Sequence, residues 1–255
     1  MKIMRSFKKI LLVVALLAGG NYAFAAPQTI EKTDSLQTVE RPVSSFNGIK
    51  IAGPFIVHIT QGSTESLKFE APAEIISRIV TDVSGHTLKI HNAHDNWSTG
   101  EKSWYSEKSW WRHHKKIVVY VTAKNLNSIS ISGSGNVILE NGVTSDALKL
   151  RVRGSGDMLG KIEVKTLKSS ISGSGHIRIS GTAGNSTVKV TGSGNFEAPE
   201  LVTSNSAIHV SGSGGVKVNA SDKIDAAISG SGGVSYTGTA KVSTRKSGSG
   251  SISRF

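Results

Sequence analysis

The stretch Ile171-Ser172-Gly173-Ser174-Gly175-His176-Ile177-Arg178-Ile179 carries the fold. Apolar residues stand at 171, 177 and 179 with polar residues between them, and Gly-Ser-Gly sits at the centre. Apolar side chains at every second position are the period of a strand with one buried face. The paired glycines mark the place where such a strand must turn sharply, where a Cβ would be costly and where neighbouring circuits lie close. The same tripeptide begins at Gly133, Gly154, Gly173, Gly192, Gly212, Gly230 and Gly248, at spacings of 18 to 21 residues. Two residues after its second glycine come Val137, Met158, Ile177, Phe196, Val216, Val234 and Ile252. Two residues before its first glycine come Ile131, Val152, Ile171, Val190, Val210 and Ile228, and only Lys246 departs from the pattern. Self-similarity at a period of about 19 residues is the signature of a solenoid.

Each unit reads as strand, bend, strand and then a variable turn such as Glu140-Asn141-Gly142 or Ser180-Gly181-Thr182. The expected fold is all-β, a flattened parallel β-solenoid with one repeat per circuit. A coil of two repeats, about 38 residues, is the alternative. Seven circuits stacked at about 4.8 Å would span about 34 Å. The bend residues are assigned a structural role: Gly133, Ser134 and Gly135 in the first unit, then Gly154 and Gly156, Gly173 and Gly175, Gly192 and Gly194, Gly212 and Gly214, Gly230 and Gly232, and Gly248 and Gly250. A phosphate-cradling loop would need a helix after it, whereas strand residues follow here. The middle serines are expected to stack as a hydroxyl ladder. Thr244 and Lys246 make the last unit polar, which suits the end of a stack.

The 255 residues contain 28 Gly and no Cys, with a formal net charge of +12. Absence of Cys excludes a disulfide framework, a thiolate metal site, a cysteine nucleophile and an acylated-Cys anchor. Residues 1–25 combine Lys2, Arg5, Lys8 and Lys9 with an apolar run from Ile10 to Ala18 and then Ala23-Phe24-Ala25. That is the layout of a secretory signal peptide cleaved after Ala25. The apolar run is short of the roughly 20 residues of a membrane span. Cleavage removes four positive charges and leaves +8, and export argues against a nucleic-acid partner. The remaining charge reads as spread along the chain, concentrated beside aromatics only in residues 97–116.

Residues 26–45 read as an N-terminal extension and 46–255 as one domain, with 46–125 irregular and 126–255 holding the seven repeats. Alternation predicts strands around Ile49 and Ile51, Phe55 to Ile59, Leu67 and Phe69, Leu88 and Ile90, and Ile117 to Val121. Ala73 to Val80, after Pro72, predicts two helical turns. The string Phe46-Asn47-Gly48-Ile49, then Gly53-Pro54-Phe55-Ile56-Val57-His58-Ile59-Thr60-Gln61-Gly62, followed by the Ser-Gly-Ser-Gly series, resembles the head GIN domain family. Members of that family are described as candidate autotransporter adhesins of the bacterial envelope. The resemblance implies a right-handed, pectin-lyase-like β-helix without catalytic residues and with a role in adhesion. No C-terminal translocator barrel accompanies it, which points to the periplasm as well as the cell surface.

An enzyme of this shape needs carboxylates stacked at equivalent positions of neighbouring circuits. Counted from the second glycine of their own repeats, Glu140, Asp146, Asp157, Glu163, Glu197, Glu200, Asp222 and Asp225 fall at different offsets. Asp146 and Asp225 alone coincide, four repeats apart. No catalytic residue, metal ligand or cofactor is expected. His86, His91, His94, His113 and His114 cluster in sequence but read as solvated polar residues. The distinctive segment is an insert at 95–116 that holds all four tryptophans. Trp97, Trp104, Tyr105, Trp110, Trp111, Arg112, Lys115 and Lys116 are its candidate partner-binding residues. Indole faces beside cations suit an envelope glycan, a surface protein or an anionic membrane surface. Covering an end or flank of the solenoid is the other role open to them. Self-association through solenoid faces or ends, giving a homo-oligomer, is the second expectation for the whole chain.

Overall fold

The computed structural model describes residues 36–93 and 116–255, all within one unit, Asp34–Phe255. Its elements are β1 (Leu36–Arg41), β2 (Gly48–Ala52), β3 (Phe55–Gln61), β4 (Ser66–Pro72), α1 (Ala73–Ile76), β5 (Ile79–Ser84), β6 (Thr87–Asn92), β7 (Ile117–Ala123) and β8 (Ser128–Gly133). Then come β9 (Asn136–Gly154), β10 (Asp157–Gly173), β11 (His176–Gly192), β12 (Asn195–Gly212), β13 (Gly215–Gly230), β14 (Gly233–Thr237), β15 (Lys241–Ser247) and β16 (Ser251–Arg254). Among the described residues no helix is long and apolar enough to cross a membrane.

One repeat makes one circuit. β10 pairs in parallel with β11 from Asp157↔His176 to Gly173↔Gly192, a constant offset of one repeat, which removes the two-repeat coil. The long strands bend twice without leaving the ladder. Ile162, Glu163 and Val164 pair with Val143, Thr144 and Ser145 on one side and with Gly181, Thr182 and Ala183 on the other. The segment read as a variable turn is therefore a short third face, and the cross-section has three sides rather than two. Its inward positions include the buried Ala183 and Thr203, and Gly181 in the row of Ile162 and Leu201, so the apolar signal that would announce a strand is diluted.

The inward rows form the core. Ile131, Val152, Ile171, Val190, Val210 and Ile228 make one buried row, and Val137, Met158, Ile177, Phe196, Val216 and Val234 another. A corner row runs Leu148, Leu167, Ser186, Ser206 and Ile224. Its two serines bond to each other at 2.7 Å, and Thr203 bonds Ser206 at 3.0 Å and the Asn219 carbonyl at 2.8 Å. Buried hydroxyls satisfied by one another remove the penalty of placing them in a core.

The two glycines of each bend have different physical tasks. The first adopts positive φ, +121° at Gly173, which a side chain would strain. The second is not in that region: Gly135, Gly156, Gly175, Gly194, Gly214, Gly232 and Gly250 are all missing from the positive-φ residues. What excludes a side chain there is contact with the circuit before. A Cβ on Gly156 would stand 2.4 Å from the Gly135 carbonyl oxygen and 3.0 Å from Ile131 Cγ2. On Gly214 and Gly232 it would stand 2.6 Å from Val190 Cγ1 and Val210 Cγ1, and on Gly194 and Gly250 2.6 Å from Ile171 Cγ2 and Ile228 Cγ2. The ladder through the bends is made of backbone, as in Ser174 N to Gly154 O and Ser193 N to Gly173 O, both 2.9 Å. The bend serines lie on the outer edge, where no bond among the described residues joins one of their hydroxyls to the next. The expected serine ladder is therefore not what holds that edge.

Two further levels precede the seven Gly-Ser-Gly circuits, and the chain visits them out of order. β2 and β3 form a circuit whose bend is Gly53-Pro54, stacked directly on the first repeat: β2 pairs with β8 and β3 with β9. β6 and β7, later in sequence, lie on the outer side of that circuit, pairing with β2 and β3. Beyond them the stack turns antiparallel, with β5 on β6, and β4 on β7 followed by β1 on β4. Leu36–Arg41, within the segment assigned to an extension, is thus a strand of this sheet. The Arg41 guanidinium fastens this end by donating to the Ile76 and Ile79 carbonyls at 2.8 and 2.7 Å and to Thr81 Oγ1 at 3.1 Å. It also lies 4.9 Å over the Phe69 ring. α1 is one turn, not two. Ile79 and Val80 leave it for β5, where β-branched residues pair across the Gly85-His86 turn with β6. At the other end β15 is largely exposed, Lys246 and Thr244 included, as a polar terminal circuit should be.

Candidate functional site

The swapped order of levels decides where the tryptophan-rich insert attaches. Every other circuit passes from its pre-bend to its post-bend strand through a tight glycine turn. In the outermost circuit the pre-bend strand β6 ends at Asn92 and the post-bend strand β7 begins at Ile117. The segment joining these two strand ends, where other circuits have their glycine bend, contains the insert. Trp97, Trp104, Tyr105, Trp110, Trp111, Arg112 and Lys115 lie outside the described residues. Lys116 is described and exposed, and it lines a shallow groove with Leu36, Glu70 and Val118.

Beside that root lies a run of outward residues on the post-bend face. Lys68, Tyr120, His58, Ile138 and Leu159 follow one another across β4, β7, β3, β9 and β10. The His58 and Tyr120 rings stack with centroids 5.2 Å apart, and Lys68 Nζ sits 4.8 Å from the Tyr120 centroid. Tyr120 donates its hydroxyl to Glu70 at 3.3 Å, and His58 Nδ1 meets a Glu140 carboxylate oxygen at 2.5 Å. Desolvation, then the negative charge of Glu70, holds the Tyr120 phenol above its ordinary pKa. This cluster has no signal in the repeat pattern, because Glu140 and His58 are 82 residues apart and meet only through the stacking of β3 on β9.

The acids lie apart, at the unequal offsets read from the sequence. Asp146 pairs with Lys165 at 2.7 Å, Glu163 with Lys161 at 3.6 Å and Glu197 with Arg178 at 2.7 Å. Hydrogen bonding to Lys165 holds the Asp146 carboxyl below the usual range. Among the described residues no three His, Asp or Glu side chains converge as a metal site. His91 bonds the Asn92 carbonyl at 2.9 Å and His86 the Ser45 carbonyl at 3.2 Å, while His94, His113 and His114 lie outside the described residues.

Charge, read as spread along the chain, is gathered by the fold. Outward positions of the pre-bend face carry Lys149, Arg151 and Arg153 on β9, Lys168 on β10 and Lys189 on β11. Lys50, Arg151, Lys189 and Arg245 all stand three residues before the first glycine of their bends, a regularity visible in sequence once the offset is known.

These features define a class: a parallel β-solenoid with an irregular N-terminal cap, a glycine-bend edge and flat polar outer faces. Residues 45–240 match the model of the family described as "putative auto-transporter adhesin, head GIN domain", and the chain belongs to that family. A crystal structure from Bacteroides fragilis described as a putative adhesin is similar, with 28% identity and TM-score 0.76, over 88% of this chain and 98% of that one. Two structures from Parabacteroides distasonis share the fold at TM-score 0.68, each over 88% of this chain and 98% of its own. One is described as a putative lipid binding protein (23% identical) and the other as a putative adhesin (22%). No curated protein sequence is significantly similar to this chain.

Proposed function

We propose that the chain is an exported, non-enzymatic binding module of the cell envelope, adhesin-like in action. Membership of a family described as adhesins carries the reading, together with a fold that devotes its inner residues to packing and its outer faces to contact. The signal-peptide layout of residues 1–25 supports export to the periplasm or cell surface. The tryptophan insert, rooted at the head of the bend edge, is the proposed contact for a glycan or surface protein. Two measurements test this. N-terminal sequencing of the mature protein should begin at Ala26. Purified protein should be retained by envelope fractions, and Trp104, Trp110 and Trp111 changed together to Ala should reduce retention. Equal retention by the triple variant refutes the role of the insert, and no retention by the parent refutes the binding module.

A second reading, a self-associating envelope scaffold, draws on the open last circuit, where Val242 and Ile252 are only half-buried and β16 has no further strand beyond it among the described residues. Such an edge is a template for pairing. Concentration-dependent light scattering decides between an assembling and a monomeric chain.

A further inference from the structure

The pre-bend face is a flat parallel sheet whose inward residues are buried and whose outward residues face water. Lys149 and Lys168 are direct neighbours on adjacent strands. Arg151 and Lys189 flank Ser170 in the next row, and Arg153 stands beside Ser172 in the third. Arg151 and Lys189 are thus two strand spacings apart, about 9.6 Å. Among the described residues none of these five cations has a carboxylate within ion-pair distance. On the other two faces of the same circuits the cations are neutralised, Lys161 by Glu163, Lys165 by Asp146 and Arg178 by Glu197. Like charges set directly opposite destabilise a sheet. The excess charge is therefore concentrated on one face, at a cost to folding, rather than distributed.

The rest of that face says what kind of anion it fits. Its other outward side chains in these and the following circuits are mostly Ser, Thr and Ala, such as Ser170, Ser172, Thr187 and Ser211, with no Phe, Tyr, Trp or large aliphatic residue. His209 stands next to Lys189, and Asp225, a carboxylate two strands beyond Thr187, is paired with Lys223 at 2.8 Å. A membrane-surface element uses apolar side chains to enter the headgroup boundary, and this face offers none. Along the row Ser130, Arg151, Ser170 and Lys189 cations alternate with hydroxyls, which matches a linear polymer that alternates anionic groups with sugar hydroxyls. We infer that the pre-bend face binds a linear acidic polysaccharide lying along the solenoid axis, held by Lys149, Arg151, Arg153, Lys168 and Lys189.

The inference rests on the binding-module reading and adds a surface distinct from the tryptophan insert. Its test uses the full protein, polygalacturonate as probe, and the variant Lys149→Ser, Arg151→Ser, Lys168→Ser, Lys189→Ser. Serine already occupies such outward positions in neighbouring circuits at 128, 130 and 170. The control is Lys161→Ser with Lys165→Ser on the third face. At about 0.01 M salt, where charges act over about 30 Å, the parent should bind polygalacturonate and the quadruple variant at least tenfold more weakly. The control should bind like the parent. Parent affinity should fall steeply toward 0.15 M salt, and both variants should keep the parent's unfolding midpoint within a few degrees. Equal binding by the quadruple variant and the parent overturns the inference, as does a parent that ignores polygalacturonate. Tighter binding to phosphatidylglycerol vesicles than to the polyuronate overturns it in favour of a membrane. Polygalacturonate binding that survives the quadruple variant sinks this surface alone, whereas absence of envelope retention in the parent sinks the binding module.

Discussion

Gly194→Ala isolates the close approach of neighbouring circuits, because Gly194 is not among the positive-φ glycines. The new methyl would stand 2.6 Å from Ile171 Cγ2, and the Gly175 carbonyl oxygen is nearer still. Carbon atoms prefer 3.5–4.0 Å, so Ile171 must leave its rotamer or the circuits must part by about 1 Å. Parting them strains the bonds from Ser193 N and Gly194 N to Gly173 O, both 2.9 Å, and from Asn195 N to Gly175 O, 3.2 Å. Overpacking costs about 1–3 kcal/mol, and one weakened bond adds about 0.5–1.5 kcal/mol. Stiffening the unfolded chain returns about 0.4–1 kcal/mol. A net loss of about 2–3 kcal/mol is expected, a fall in melting temperature of about 4–12 °C for a chain of this size. Urea unfolding followed by circular dichroism measures it. Gly85→Ala is the comparison, since Gly85 has φ +55° and nothing within 4 Å of a Cβ, leaving only backbone strain of about 1–2 kcal/mol offset by the same entropy gain. If Gly194→Ala is no less stable than Gly85→Ala, packing between bends does not explain the second glycine.

Phe196→Ala empties a fully buried ring site and should cost about 3–5 kcal/mol in urea unfolding, with the outer faces unchanged. Arg41→Lys should destabilise by about 1–3 kcal/mol, because one ammonium cannot reproduce the planar fork that reaches Ile76, Ile79 and Thr81; hydrogen exchange should rise first in β1 and β5. The Arg178 hydrogen bonds hold the Glu197 carboxyl below its usual range. Its folded pKa lies under its unfolded one, so the pair's contribution is present above the usual glutamate range and is lost as pH falls through the folded value. With the two side chains 65% and 30% exposed the effect is a few tenths of a kcal/mol. The small stability difference between parent and Glu197→Gln at pH 7 should vanish near pH 2, and a difference unchanged there would contradict the pairing.

Much of the fold was legible because strand periodicity is local. Ile171, Ile177 and Ile179 announce an inward face wherever they stand, and Gly173 and Gly175 announce the bend between them. Close approach of circuits at the bends was legible too, but not that only the first glycine takes positive φ while Gly175 is limited by contact with Val152 and Gly156 in the circuit before. The third face escaped because Gly181, Ala183 and Thr203 occupy its inward positions and blur the alternation. The helix at Ala73 is one turn where the pattern predicts two, because Ile75 and Ile76 serve the helical turn while Ile79 and Val80 serve a strand, and pairing with β6 decides where one gives way to the other. His58 with Glu140 carried no pattern at all, since the two sit in levels the chain visits out of order.

The amino-acid sequence alone determined which residues face in, where each circuit bends and that one repeat recurs about every 19 residues. These are consequences of side-chain alternation and of the space a Cβ requires, both set within a few bonds. The tertiary structure decided which circuits are neighbours: β3 on β9, and β7 outside β3. It also decided that Lys149, Arg151, Arg153, Lys168 and Lys189, scattered over 41 residues of chain, share one face. Stacking order depends on contacts between residues far apart in sequence, and the charge of a surface depends on that order as much as on composition.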